Sequence, residues 1–163
     1  MKTLLIVCHS MTGGARQMAD AAECGARTEH TITVNRRTAA EATADDVLRA
    51  DGYLFVAPEN LAALAGVMQD FFDRTYYAAL DQINGRPYAA LVCAGSDGQS
   101  AVRQIERICT GWRLKRIAES LIVCTHAQTR EAILAPKIIE ANDLAPCETI
   151  GATLATGLAL GIY

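Results

Sequence analysis

Three short stretches carry residue types suited to holding a charged or flat ligand. The first, residues 9–15 (HSMTGGA), leaves an apolar run and opens a helical pattern. Ser10 and Thr12 bring hydroxyls, and Gly13 and Gly14 let backbone N–H groups turn inward on an anion. A helix N-terminus adds partial positive charge without a formal cation. This composition suits a phosphate monoester, and equally a plain strand-to-helix turn capped by Ser or Thr. In the second, residues 58–66 (PENLAALAG), Pro58 stiffens a strand exit and Glu59 and Asn60 present polar atoms. Ala62, Ala63, Ala65 and Gly66 then leave room for a flat ligand against the backbone, or make an ordinary loop. In the third, residues 95–100 (GSDGQS), Gly95 and Gly98 allow close backbone approach. Asp97 repels phosphate, but its carboxylate accepts from a ring N–H or a sugar hydroxyl. A tight Ser-Asp-Gly turn reads the same way.

Other chemistries fit poorly. No lysine follows the glycines as a P-loop requires, and TGGARQ does not supply the GxGxxG of a dinucleotide fold. Seven residues separate Cys8 from Arg16, too many for the anion cradle of a cysteine phosphatase. The third apolar run ends VAP, without the aspartate of a phosphoacceptor domain. The six cysteines form no CxxC pair and no zinc spacing, and read as structural thiols in a reducing cytoplasm. His9 lies nearest the first loop and reads as a strand-end polar residue; His30 and His126 look incidental. Trp112, Tyr76 and Tyr77 wall a pocket or simply pack.

The elements that position these loops alternate. Continuous apolar runs at 3–8, 52–58, 88–95 and 118–124 read as buried strands, and the alternating run at 29–36 reads as an edge strand. Helical spacing marks 15–26, 39–50, 64–80, 101–111 and 143–160, with Thr43 as an N-cap and the last helix expected to be buried. Strand and helix in alternation imply a doubly wound α/β sandwich of three layers. Its five-stranded parallel sheet has the order 2-1-3-4-5, with helices on both faces. Ligands bind such sheets beyond the carboxyl ends of the strands, which is where the three loops fall.

The chain has 163 residues, half of them apolar, and a formal charge of −3. That fits one domain, 1–163, and offers no basic footprint for nucleic acid and no polybasic membrane patch. No apolar run approaches the ~18 residues of a membrane span, and the first residues lack a leader pattern.

Taken together, HSMTGGA, PENLAALAGVMQDFFDRTYY and YAALVCAGSDGQSAVRQIERICTGWRLKRIA resemble the flavodoxin-like NAD(P)H-dependent oxidoreductases, in the branch near the NADPH-dependent FMN reductases. The resemblance covers nearly the whole chain. It implies FMN, with its phosphate held by Ser10, Met11, Thr12, Gly13, Gly14 and Ala15. Pro58, Glu59, Asn60, Leu61 and Ala62 then border the ring, largely through backbone groups, and Gly95, Ser96, Asp97 and Gly98 close its other edge. It also implies NAD(P)H as electron donor, a small acceptor such as a quinone or flavin, and a homodimer. No side chain need act as acid or base, and no catalytic residue is named. Two positions depart from the family pattern: Ala15 stands where a hydroxyl residue is usual, and Leu61 where an aromatic often follows PEN. An aromatic stack is worth about 0.5–1.5 kcal/mol, so looser flavin binding is expected. Two other classes share the architecture. Mild charge and Leu61 argue against a flavodoxin-type electron carrier; Ala15 and the bare ring loop keep open a binding or regulatory protein with weak flavin affinity.

Overall fold

The computed structural model describes residues 1–163. Its first strand, β1 (Thr3–Cys8), is buried from Leu4 onward and runs parallel to β2 (Thr33–Thr38) on one side and β3 (Gly52–Asn60) on the other. β5 (Pro87–Ala94), buried at all eight residues, follows β3 in the sheet. Two short strands, β6 (Lys115–Arg116) and β7 (Leu121–Cys124), pair in succession with its far edge. The order is therefore β2-β1-β3-β5 and then β6 with β7. The chain winds outward from β1 to β2 and then crosses to β3, so strand order reverses between β1 and β3. That reversal opens a crevice at the carboxyl ends.

Five parallel positions match the expected 2-1-3-4-5 order, but the strand count is seven. Residues 117–120 interrupt the fifth position, where Glu106 accepts from Arg116 on one side of the break and from Ser120 Oγ (2.9 Å) on the other. The seventh strand is β4 (Ala63–Leu64), which folds back antiparallel on the end of β3.

Alternation along the strands sends side chains into two cores. Leu4, Ile6, Leu54 and Leu91 pack under α1 (Gly14–Ala26) and α6 (Ala141–Leu160). Leu5, Val7, Phe55 and Val92 pack on the opposite face, under α2 (Ala44–Arg49), α3 (Gly66–Ala79) and α4 (Gln99–Gly111). Phe55, Phe71, Phe72 and Trp112 interlock there, Phe55 and Phe72 edge to face with centroids 4.9 Å apart. Trp112 is thus mainly core, although with Tyr76 it also edges a cleft between α3 and α4; Tyr77 is exposed. Thr43 caps α2 reciprocally with Asp46, as its sequence anticipates. α1 and α6 touch through backbone: a Cβ on Gly151 would lie 1.9 Å from the Ala22 carbonyl oxygen. Only one stripe of α6 is buried, and Thr149, Thr153, Thr156 and Leu160 face out, so the terminal helix is half-buried rather than enclosed. A further short helix, α5 (Arg130–Leu134), has no counterpart in the sequence reading. No helix is long and apolar enough to cross a membrane.

Candidate functional site

The first loop joins β1 to α1. Gly13 stands at the N-cap of α1 with φ 94°, a left-handed conformation that a side chain strains, and no side chain caps the helix. Ser10 Oγ accepts from Gly13 N at 3.1 Å, which closes the turn. The N–H groups of Met11, Thr12, Gly14, Ala15 and Arg16 find no acceptor in the protein. No acidic residue stands in the first turn to compete for them. Gly14 is buried against the sheet, where an added Cβ would lie 2.5 Å from Cys93 Sγ.

The second loop is an ordered hairpin. β3 continues to Asn60, turns through Leu61 and Ala62, and returns as β4. Both turn residues have positive φ, 52° and 56°, a conformation usually left to Gly or Asn in two-residue hairpins. Leu61 at the tip is fully exposed. Glu59 does not turn its carboxylate toward a ligand. Its Oε1 accepts from Gly98 N and its Oε2 from Ala101 N, both at 3.0 Å, so it caps α4, whose own N-cap is Gly98. One carboxylate therefore ties the second loop to the third. Gly98 has φ 85° and no room for a side chain, since a Cβ would lie 2.6 Å from Ile122.

These loops surround a cleft of about 480 Å³. Thr12 lines it from the first loop, Pro58, Glu59, Asn60, Leu61 and Ala62 from the hairpin, and Gly95 and Ser96 from the third loop. Cys93 and Ala94 form part of the floor. Ser10 and Met11 before Thr12, and Gly13, Gly14 and Ala15 after it, are not on the cleft wall; Ser10 opens instead on an adjoining groove. Asp97 is exposed and Gly98 buried, and neither lines the cleft. His9 is outside it too, its amide tied to Val56 O at 2.9 Å and its pKa lowered by partial burial.

A fourth wall went unread in the sequence. Thr125, Ala127 and Gln128 after β7, Ile133 on α5, and Lys137 complete the cleft. This strap is bolted to the first loop. Lys137 N donates to Thr12 O at 2.8 Å, and Gln17 from α1 donates to Gly13 O (2.9 Å) and Lys137 O (2.7 Å) while accepting from Ile139 N (3.1 Å). No motif marks these residues. The signal available was topological, because a fifth parallel strand must also end at the carboxyl edge and contribute its loop there.

Burial raises the pKa of Cys8 and Cys93, at the ends of β1 and β5, to about 11 in each case. Both are neutral thiols at physiological pH, unsuited to nucleophilic work. All six cysteines are free; Cys24 is exposed and Cys124 half-buried. No group of His, Cys, Asp and Glu is arranged to hold a metal ion.

The residues fit FMN. The free amides at the start of α1 and the unpartnered Thr12 hydroxyl are donors of the kind a dianion needs, and small residues and backbone bound the cleft beside them. No aromatic side chain lines that cleft.

Fold and site together define a flavodoxin-like α/β domain. The chain belongs to the NADPH-dependent FMN reductase family, whose model matches residues 11–128. It is 31% identical to a flavodoxin of Aquifex aeolicus over 60% of this chain and 53% of that one. It is 32% identical to an NAD(P)H dehydrogenase (quinone) of Acidithiobacillus ferrooxidans over 46% of this chain and 48% of that one. The chain thus spans about half the length of the curated relatives it matches. A solved flavodoxin from the domain Archaea superposes with a TM-score of 0.79 at 19% identity, covering 98% of this chain and 99% of that chain, a likeness of fold.

Proposed function

We propose that this protein is an FMN-dependent oxidoreductase that takes electrons from NAD(P)H and passes them to a small acceptor such as a quinone. The observation that carries this reading is the set of unpaired N–H groups at the start of α1, opening beside a cleft bounded by small residues. FMN, when bound, supplies the redox chemistry. The protein's part is to bind, orient and exclude water. Met11, Thr12, Gly14, Ala15 and Arg16 present amides to the phosphate. The hairpin of Pro58–Ala62 and the Gly95–Ser96 turn bound the ring. Glu59 holds those two loops at a set separation. Neutral Cys93 keeps the floor free of charge. Family membership and the quinone dehydrogenase relative support an NADPH-to-acceptor reaction over simple electron carriage.

The test is spectroscopic. FMN added to the apoprotein should show quenched fluorescence and a perturbed flavin spectrum. NADPH added without oxygen should bleach the complex, and a quinone should restore it. A yellow protein that NADPH cannot bleach argues for a carrier, and one that takes up no FMN refutes the reading. Gly13→Val should abolish FMN uptake with circular dichroism unchanged, because the side chain must occupy a φ of 94° at the centre of the turn. Unchanged FMN titration in that variant would remove the first loop from the site.

A further inference from the structure

The phosphate turn carries one charged side chain, Arg16, which is exposed to solvent with its Nη2 3.5 Å from where Gly13 would carry a Cβ. The arginines beyond it are engaged: Arg36 with Asp20 and Glu23, Arg27 with Glu23, Arg37 with Asp46. Arg16 does not line the cleft, so a dianion seated on the cleft side of the turn meets neutral amides there unless a second cation stands on that side.

Lys137 is that cation. Its main-chain N–H is bonded to Thr12 O, and its Cβ and Cγ stand 3.6 Å from where Gly14 would carry a Cβ. Its side chain lines the cleft between the first loop and the floor. The ammonium donates to three carbonyls, Ala132 O (2.8 Å), Ile133 O (2.9 Å) and Ala135 O (2.6 Å), and makes no ion pair with any carboxylate. The three carbonyls take all three of its N–H groups and fix its position, and with no carboxylate to neutralise it the ammonium acts on the cleft through its field. That charge reaches the cleft floor, where it opposes the effect of burial on the Cys93 thiol. Gln17 donates to the Lys137 carbonyl and accepts from Ile139 N, so the lysine is carried on a segment fastened to the turn it would serve.

We infer that Lys137, delivered by the strap after β7, is the electrostatic partner of the FMN phosphate and makes the site prefer FMN to its unphosphorylated form, riboflavin. This rests on the FMN reading above and extends it to a residue outside the three loops. A fixed cation attracts a dianion and is indifferent to a neutral ribityl chain, so the two flavins separate the electrostatic role from a packing role.

The experiment titrates the full-length protein with FMN and with riboflavin by flavin fluorescence, at low and at physiological ionic strength. Lys137→Met should weaken FMN binding about five- to tenfold at low salt and change riboflavin binding less than twofold; Lys137→Arg should retain most of the FMN preference. Should Lys137→Met unfold, wild type and Lys137→Arg still decide the matter: both should prefer FMN to riboflavin, by a margin that shrinks with salt. Equal losses for the two flavins, a preference insensitive to salt, or a larger loss in Arg16→Met than in Lys137→Met would overturn the assignment to Lys137. Wild-type protein that binds neither flavin would overturn the FMN reading itself, which keeps the two failures distinct.

Discussion

Replacing Glu59 with alanine removes a cap and a cross-link at once. Its carboxylate takes two backbone N–H groups at the start of α4, each at 3.0 Å, and Gly98 has no side chain to substitute for it. A hydrogen bond to a charged group contributes about 1.5–3 kcal/mol, and loss of a helix cap costs about 0.5–2 kcal/mol. Glu59 is half-buried, so water reaches part of the vacated site and recovers some of that. The expected net loss is about 2–3 kcal/mol. For a domain of this size each kcal/mol moves the melting temperature by about 2–4 °C, giving a drop of roughly 5–10 °C. Urea unfolding followed by circular dichroism should show a lower midpoint at an unchanged slope. Glu59→Gln retains one acceptor oxygen and should fall between wild type and Glu59→Ala. A loss below about 0.5 kcal/mol in Glu59→Ala would refute the reasoning, since a carboxylate free to face a ligand carries no such stability.

Gln17→Leu should release the strap without unfolding the domain: three neutral hydrogen bonds are lost, worth about 2 kcal/mol in local opening, and exchange of the Ile139 amide should accelerate at least tenfold while amides of β5 stay protected. Unchanged exchange at Ile139 would show that the strap is held by other contacts. Stability should also fall as pH rises from about 9 to 11. Burial lifts Cys8 and Cys93 to about 11 in the folded state from the ordinary value near 9, so the unfolded chain loses these protons first and gains as pH rises. The contribution is fully present below pH 9, amounts to about 3 kcal/mol per thiol, and disappears through pH 11. A urea midpoint in Cys8→Ala that declines over this range as steeply as in wild type would count against it.

Much of the scaffold was legible because it rests on local periodicity. The unbroken apolar runs of β1, β3 and β5 can be satisfied only by cover on both faces, and Thr43 with Asp46 announces the start of α2. The second loop reads as room for a flat ligand or as an ordinary loop, not as a hairpin, because its alanines and Leu61 carry no hairpin signature. The turn there adopts left-handed φ at residues that disfavour it, at about 1–3 kcal/mol each, offset by the pairing of Glu59 with Leu64 and Asn60 with Ala63. The break in the fifth strand was hidden for a similar reason. It depends on Glu106, which is distant in sequence and touches both sides of the interruption. α5 and the strap were missed because five helical residues among exposed apolar ones give no dependable period.

The same division of labour governs the polar side chains at the site. Polar side chains near a strand end invite a ligand role, yet Glu59 and Gln17 spend their hydrogen bonds on the protein's own backbone, while Ser10 Oγ accepts from Gly13 N and keeps its proton unpartnered. The donors left over include main-chain amides, the Thr12 hydroxyl and the Arg16 guanidinium, with the Lys137 charge held beside them by carbonyls. A site built this way rests most of its binding on loop positions, with Lys137 the one side chain that sets a preference, and that is why Ala15 and Leu61 are compatible with it. Replacing a loop hydroxyl removes one donor from several, whereas detaching Glu59 or Gln17 lets a whole wall of the cleft drift. Affinity for a bound group should therefore be more sensitive to these two side chains, neither of which needs to touch it, than to Ser96, which lines the cleft directly.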